Sequence, residues 1–256
     1  MKAVHCKKLV LFFVAFFIAF IAFSQNSFTD YQKSSYKVND VFTRKEEILK
    51  RLFESKGVNW PVKYVYIRSF KYDAQLEIWA KNTVAEPYKL VKNYKVCMQS
   101  GAMGPKRLQG DFQVPEGLYH INEYNPNSNY HLSLGLNYPN SSDRILSDSL
   151  RPGGDIFIHG SCVSVGCIPV NDDEIEEIFV ITTVARANGQ EFIPVHVFPI
   201  KYNVRKSVDY LDNALKNRQS IKQFEYQLKN IFDYFNEKKQ LPIVLINKKG
   251  EYLVNN

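Results

Sequence analysis

A histidine and a cysteine eight positions apart carry the chemistry this chain can do. Both stand in the stretch 155–170, DIFIHGSCVSVGCIPV. The apolar run Ile156-Phe157-Ile158 ends in His159-Gly160, and Cys167 follows inside Ser164-Val165-Gly166-Cys167. A cysteine nucleophile needs a base to take its proton and backbone N–H groups aimed at the oxyanion formed on attack. His159, at a strand end, has the pKa range of a general base. Gly160 lets the chain pass close to the site and orients the imidazole through its carbonyl. Gly166 puts the Cys167 sulfur on an exposed turn, and the Gly166 and Cys167 amides are the candidate oxyanion donors. Ser164 hydrogen-bonds within the loop, in a structural or a catalytic role. The competing readings are a buried or disulfide-bonded Cys167 and a strand-end His159 bonded only to backbone. Cys162 is a rival nucleophile, a disulfide partner or a small apolar side chain. A zinc site from His159, Cys162, Cys167 and His196 matches poorly, because zinc favours recurrent short Cys/His pairs. No metal ligand is assigned.

Lys106, Arg107, His131 and Arg144 are candidate substrate contacts. Arginine in particular suits the planar geometry of a carboxylate. The plainer readings are solvated charges and, for His120, His131 and His196, histidines satisfied within a sheet.

The elements that must position these groups follow from periodicity. Ile156–Ile158 reads as a strand. Asn171 is an N-cap with Glu174 completing a box-like start, and Ile175, Ile178, Phe179 and Thr182 form the inner stripe of a helix ended by Asn188-Gly189. Residues 192–200 read as a further strand. The unit is therefore strand, His, loop, Cys, helix, strand, with the chemistry on a loop. Upstream, 25–41 reads as a loose polar leader and Arg44–Lys56 as a short helix closed by Gly57. Strands are expected around 65–68, 75–80, 88–99 and 118–121, and 101–117 is a turn-rich loop. Residues 122–129 read as an Asn/Pro turn. In 130–138, Tyr130, Leu132, Leu134, Leu136 and Tyr138 alternate with His131, Ser133 and Asn137. That pattern gives a strand whose small polar face either floors a site or meets water. Residues 207–239 read as charged helix and 241–253 as a hairpin around Lys248-Lys249-Gly250.

Composition sets the context. Lys2, Lys7 and Lys8 precede the apolar run 9–23, and Ala22-Phe23-Ser24 suits a signal peptidase, so 1–24 is read as a signal peptide cut before Gln25. The alternative is an uncleaved anchor close to a membrane, although the run is shorter than the ~20 residues a spanning helix needs. Cleavage removes three lysines from a net charge of +7, and the mild basicity that remains shows no block dense enough for nucleic acid. The expected organisation is a signal at 1–24, a leader and short helix at 25–59, a catalytic domain at 60–200 and a helical extension with a terminal hairpin at 201–256. Export to the periplasm or cell envelope makes disulfides permissible. The cysteines Cys97, Cys162 and Cys167 then give either a Cys97–Cys162 pair with Cys167 free, or no disulfide.

His159-Gly160 followed by Ser164-x-Gly166-Cys167 resembles the active-site signature of the L,D-transpeptidases, the YkuD-like catalytic domain, and most closely their YafK-like branch. Val114-Pro115-Glu116-Gly117-Leu118-Tyr119 resembles the family's upstream strand start, and 125–140 resembles the same branch. The resemblance covers about residues 60–200. It implies an α+β, mainly β fold, a β-sandwich-like sheet with flanking helices, and activity on peptidoglycan stem peptides in cell-wall and cell-shape work. Cys167 would attack the L,D bond after the third stem residue of a tetrapeptide and release D-alanine, with no metal or cofactor. An amine of a second stem or of a protein, or water, would then resolve the acyl-enzyme. Two positions depart from the commoner motif: Val165 stands where a second His is usual, and Pro169 where an Arg associated with substrate positioning is usual. Hydrolases that detach proteins from murein occur in the same branch, so the alternatives are such a hydrolase or a peptidoglycan-binding protein that kept the fold and lost turnover.

Overall fold

The computed structural model describes residues 28–255. The signal segment expected at 1–24, with its cut before Gln25, lies outside them. No helix among the described residues is long and apolar enough to cross a membrane.

The first long helix, α1 (Tyr36–Ser55), forms because Val38, Val41, Phe42, Leu49 and Phe53 fall on one stripe, and that stripe is buried. It ends in a left-handed Gly57 at φ +68°. The Gly57 N–H donates to the Glu54 carbonyl at 2.9 Å and the Val58 N–H to the Phe53 carbonyl at 3.0 Å. This is the two-bond closure that satisfies the last carbonyls of a helix. The structure corrects the expected start at Arg44. Residues 28–33 are helical and α1 begins at Tyr36. The polar residues that suggested a loose leader, Asn39 and Asp40 among them, lie on the exposed side of a helix whose buried side already starts at Val38.

Eight strands make one curled, mixed sheet: β1 (Tyr64–Phe70), β2 (Gln75–Lys81), β3 (Lys89–Lys95), β4 (Gly117–Asn125), β5 (Ser133–Leu136), β6 (Phe157–His159), β7 (Ile168–Pro169) and β8 (Pro194–Phe198). Their order is β3-β2-β1-β8-β4-β5-β6-β7. The pairs β1–β8 and β6–β7 are parallel and the others antiparallel. Short helix α2 (Ser141–Leu146) and the long α3 (Asp172–Ala187) complete this region. The α+β, mainly β expectation holds, with helices as the layers that cover the sheet.

Alternation along β1 shows how the layers are fixed. Val65 and Ile67 enter the main core with α1 and α3, whereas Tyr66 and Phe70 point to the opposite side, against Phe235 and Phe232. A strand buried on both faces must be apolar at every position or satisfy what is polar. Arg68 is satisfied by Glu77 at 2.7 Å and Asn236 at 3.0 Å. The opposite side is covered by α4 (Arg205–Ala214), α5 (Gln219–Lys238) and the hairpin β9 (Ile243–Ile246) with β10 (Tyr252–Asn255). Phe224, Leu228, Ile231 and Phe232 of α5 cluster with Phe70 and Phe198 of the sheet. The helix expected over 207–239 is thus two helices with a break between them.

Two further expectations are corrected. β4 runs on to Asn125, through part of the presumed turn at 122–129. The strand expected over 130–138 is only Ser133–Leu136, and all four residues are buried. β5 lies inside the sheet between β4 and β6, so neither face meets water, and His131 sits before it in a left-handed turn at φ +70°.

Candidate active site

Register brings the chemistry together. Ser133 of β5 pairs with His159 of β6, which pairs with Pro169 of β7. One step along, Gly135 pairs with Phe157. Cys167 directly precedes β7, whose first residue Ile168 pairs with Ile158, the neighbour of His159, and its sulfur accepts the Phe157 N–H of β6. Ser133, one of the polar residues expected on one face of that strand, pairs with His159 and is buried, so it lies beneath cover rather than beside water.

His159 is 2 % exposed. Its Nδ1 donates to the Gly160 carbonyl at 2.6 Å. A carbonyl only accepts, so this bond puts the proton on Nδ1 and leaves Nε2 as the lone-pair nitrogen. Burial holds the His159 pKa below its usual value, against a smaller upward pull from the Gly160 bond. The ring of Tyr130 lies over the imidazole with centroids 4.7 Å apart. Tyr130 is held there by its neighbours. Its carbonyl accepts the Gly160 N–H at 3.0 Å, the His131 carbonyl accepts from Lys37 at 2.9 Å, and His131 Nε2 donates to Glu176 at 2.9 Å. Glu176 in turn receives both ends of the Arg44 guanidinium at 2.8 and 2.9 Å. Gly160 has no room for a side chain, because a Cβ there would stand 2.5 Å from Asp172 Oδ1 and 3.0 Å from the Tyr130 carbonyl.

The loop between His159 and Cys167 is tethered. Ser161 and Cys162 are left-handed at φ +67° and +44°. The Ser161 N–H donates to Asp172 at 2.7 Å, and Cys162 is disulfide-bonded to Cys97, which leaves Cys167 as the free thiol among the described residues. Of the two arrangements open in the sequence, the paired one is formed. Cys162 is therefore neither a thiolate ligand nor a rival nucleophile. Ser164 Oγ donates to the Cys167 carbonyl at 2.8 Å and accepts the Gly166 N–H at 3.1 Å. The Gly166 amide is thus engaged, and the Cys167 amide is the expected oxyanion donor left without such a bond among the described residues. Gly166, at φ +137°, also passes close to the Gln113 carbonyl.

The Cys167 sulfur is half-buried and donates to the Asp155 carbonyl at 3.5 Å. Burial pushes its pKa up and the negative charge of Asp155 adds to that, while the Phe157 N–H and the charge of Lys106 pull it down. Burial thus favours the uncharged form of each group, imidazole and thiol. Val165 stands 72 % exposed at the rim.

The structure places the other expected contacts unevenly. Lys106 is buried, 2.5 Å from Asp111, and its charge reaches Cys167. Arg107 pairs with Asp143 at 3.0 Å. His131 is committed to Glu176. Arg144 is exposed on α2. Sequence reasoning missed Tyr130, the Phe157 amide and Asp172. Only Asp172 had a local signal, as a carboxylate in the first turn of a capped helix.

The free Cys167 thiol and the buried His159 thus stand at the ends of adjacent strands of a curled sheet. The L,D-transpeptidase catalytic domain family (YkuD) matches residues 71–197. The protein named "Putative L,D-transpeptidase YafK" of Escherichia coli (strain K12) is 35% identical over 195 residues, 75% of this chain and 74% of its own. The chain belongs to the L,D-transpeptidase family. Among solved structures, the helical cell shape determining protein Pgp2 from Campylobacter jejuni is similar at 18% identity, with a TM-score of 0.38, covering 80% of this chain and 81% of that one.

Proposed function

We propose that this protein is an exported, cysteine-dependent L,D-transpeptidase that acts on peptidoglycan stem peptides in the cell envelope, with Cys167 as nucleophile and His159 as base. The observation that carries this reading is the 2.6 Å bond from His159 Nδ1 to Gly160. It leaves Nε2 as the nitrogen able to take the thiol proton. Because burial favours the uncharged form of both groups, the proton moves as the sulfur attacks rather than beforehand.

The sulfur adds to the carbonyl carbon of the L,D bond, and the thiol proton passes to Nε2. The Cys167 N–H faces the oxyanion, and the Phe157 N–H supports the developing thiolate. The carbon–nitrogen bond then breaks, the terminal D-amino acid leaves with the proton from His159, and a thioester remains. An amine that attacks the thioester forms a new amide and returns the thiol. Water in its place gives a carboxylate and makes the enzyme a hydrolase.

The test is mass spectrometry of products after incubation of the protein with purified tetrapeptide muropeptides, beside the Cys167→Ala variant. Cross-linked dimers or exchanged terminal amino acids, absent with the variant, are expected. Tripeptides alone would make the protein a carboxypeptidase, and product formation by Cys167→Ala would refute the nucleophile.

A further inference from the structure

Beside the nucleophile turn lies a groove of about 680 Å³ that no step above uses. One wall is the loop after β3, with Arg107, Leu108 and Gln113. The other comes from the C-terminal extension, with Arg218, Ile221 and Phe224. The groove adjoins the chemistry through Gln113, whose carbonyl would lie 3.2 Å from a Cβ on Gly166. Its size is that of a small-ligand site, in which an apolar lining carries a few polar groups that fix orientation.

The polar side chains here are two arginines, Asp111, Gln113 and Ser220. Arg107 donates to Asp143 at 3.0 Å and lies 5.3 Å from the Phe224 ring centroid, which keeps it in the wall. Arg218 lines the groove and is exposed, and one of its nitrogens donates to the Met103 carbonyl at 3.1 Å. The acidic side chain in the lining, Asp111, is already neutralised. It sits 2.5 Å from Lys106 Nζ and accepts the N–H groups of Arg107, Leu108 and Gln113. With Arg107 paired to Asp143 and Asp111 paired to Lys106, the charge left in the lining is the Arg218 guanidinium, and it suits a planar anion by the geometry of its fork.

We infer that this groove is a subsite for a peptide carboxylate and that Arg218 of the C-terminal extension is its specificity-determining contact. This rests on the stem-peptide reading above. The carboxylate comes either from the donor stem or from the acceptor stem.

The test is calorimetric titration of the full chain carrying Cys167→Ala, which does not consume the peptide. A tetrapeptide stem serves as the donor arm and a tripeptide stem as the acceptor arm, each as free acid and as C-terminal amide. In at least one arm the acid is expected to bind about tenfold or more tightly than the amide, the scale of a charge-assisted hydrogen bond. Arg218→Ala removes that preference and Arg218→Lys restores part of it. The arm that shows it identifies the source. Equal affinity for acid and amide in both arms, a preference that survives Arg218→Ala, or no binding in either arm overturns the inference. Failure of the underlying reading is seen separately, as absence of turnover by the unsubstituted chain.

Discussion

His159 Nδ1 lies 2.6 Å from the carbonyl oxygen of its own neighbour, Gly160. This contact decides the tautomer of the base and therefore which nitrogen can meet the Cys167 proton. It is held on both sides, because the Gly160 N–H is itself bonded to the Tyr130 carbonyl at 3.0 Å.

Turnover should follow the neutral imidazole. Burial holds the His159 pKa below its ordinary 6.5, so the neutral form persists to a lower pH than it would in water. kcat/KM should rise through an acid limb below pH 6.5, while the raised Cys167 pKa keeps the thiol protonated through neutrality. His159→Ala should cost about 10²–10⁴-fold in rate with folding retained. Rates measured across pH check this, and an acid limb above the ordinary histidine value would refute it.

Gly160→Ala should damage the site from one atom. The added Cβ would stand 2.5 Å from Asp172 Oδ1, whose carboxylate fixes the Ser161 amide. Either the loop or the helix start must move, at a cost of about 1–3 kcal/mol, and the Gly160 carbonyl moves with it. Urea midpoints and kcat are the measurements. A variant equal to the parent in both would show that the close approach is not needed.

Cutting the Cys97–Cys162 disulfide should loosen the tether of the loop that ends in the nucleophile. The bond spans 65 residues, and closing a loop of such length stabilises a domain by about 2–4 kcal/mol. The double variant Cys97→Ala/Cys162→Ala should lose stability on that scale and turn over more slowly, because the left-handed Ser161 and Cys162 lose their anchor. Unchanged stability and unchanged rate together would sink the idea.

Glu225 should make stability fall as pH rises above the ordinary carboxylate value of 4.5. Burial, and the carboxylate of Glu116 beside it, hold its pKa well above the usual carboxylate value of 4.5. Glu116 is held low, against its own burial, by Lys71 at 2.8 Å. An acid with a raised folded pKa stabilises fully below its unfolded pKa, and that contribution is lost as pH rises through the folded one. Denaturation midpoints should therefore fall from above pH 4.5 upward, and Glu225→Gln should flatten the decline. An identical slope in the variant would remove Glu225 as its cause.

The sequence by itself determined what is local. The His159-Gly160 and Ser164-x-Gly166-Cys167 spacing, the capped start of α3 with Glu174 accepting the Asn171 amide at 3.1 Å, and the terminal hairpin were legible because each is encoded within a few residues. The stripe from Val38 to Phe53 carried the start of α1 as well, hidden by polar residues on its outer side. The tertiary structure alone decided the partners. It set Cys97 on Cys162, His131 on Glu176 across 45 positions, Arg44 on Glu176 across 132, and Phe224 beside the loop after β3. Periodicity and capping act over one helical turn or one strand pair. Which cation is buried, which cysteine is free and which ring covers the base depend on chain segments that meet only when the sheet curls and its helices close over both faces.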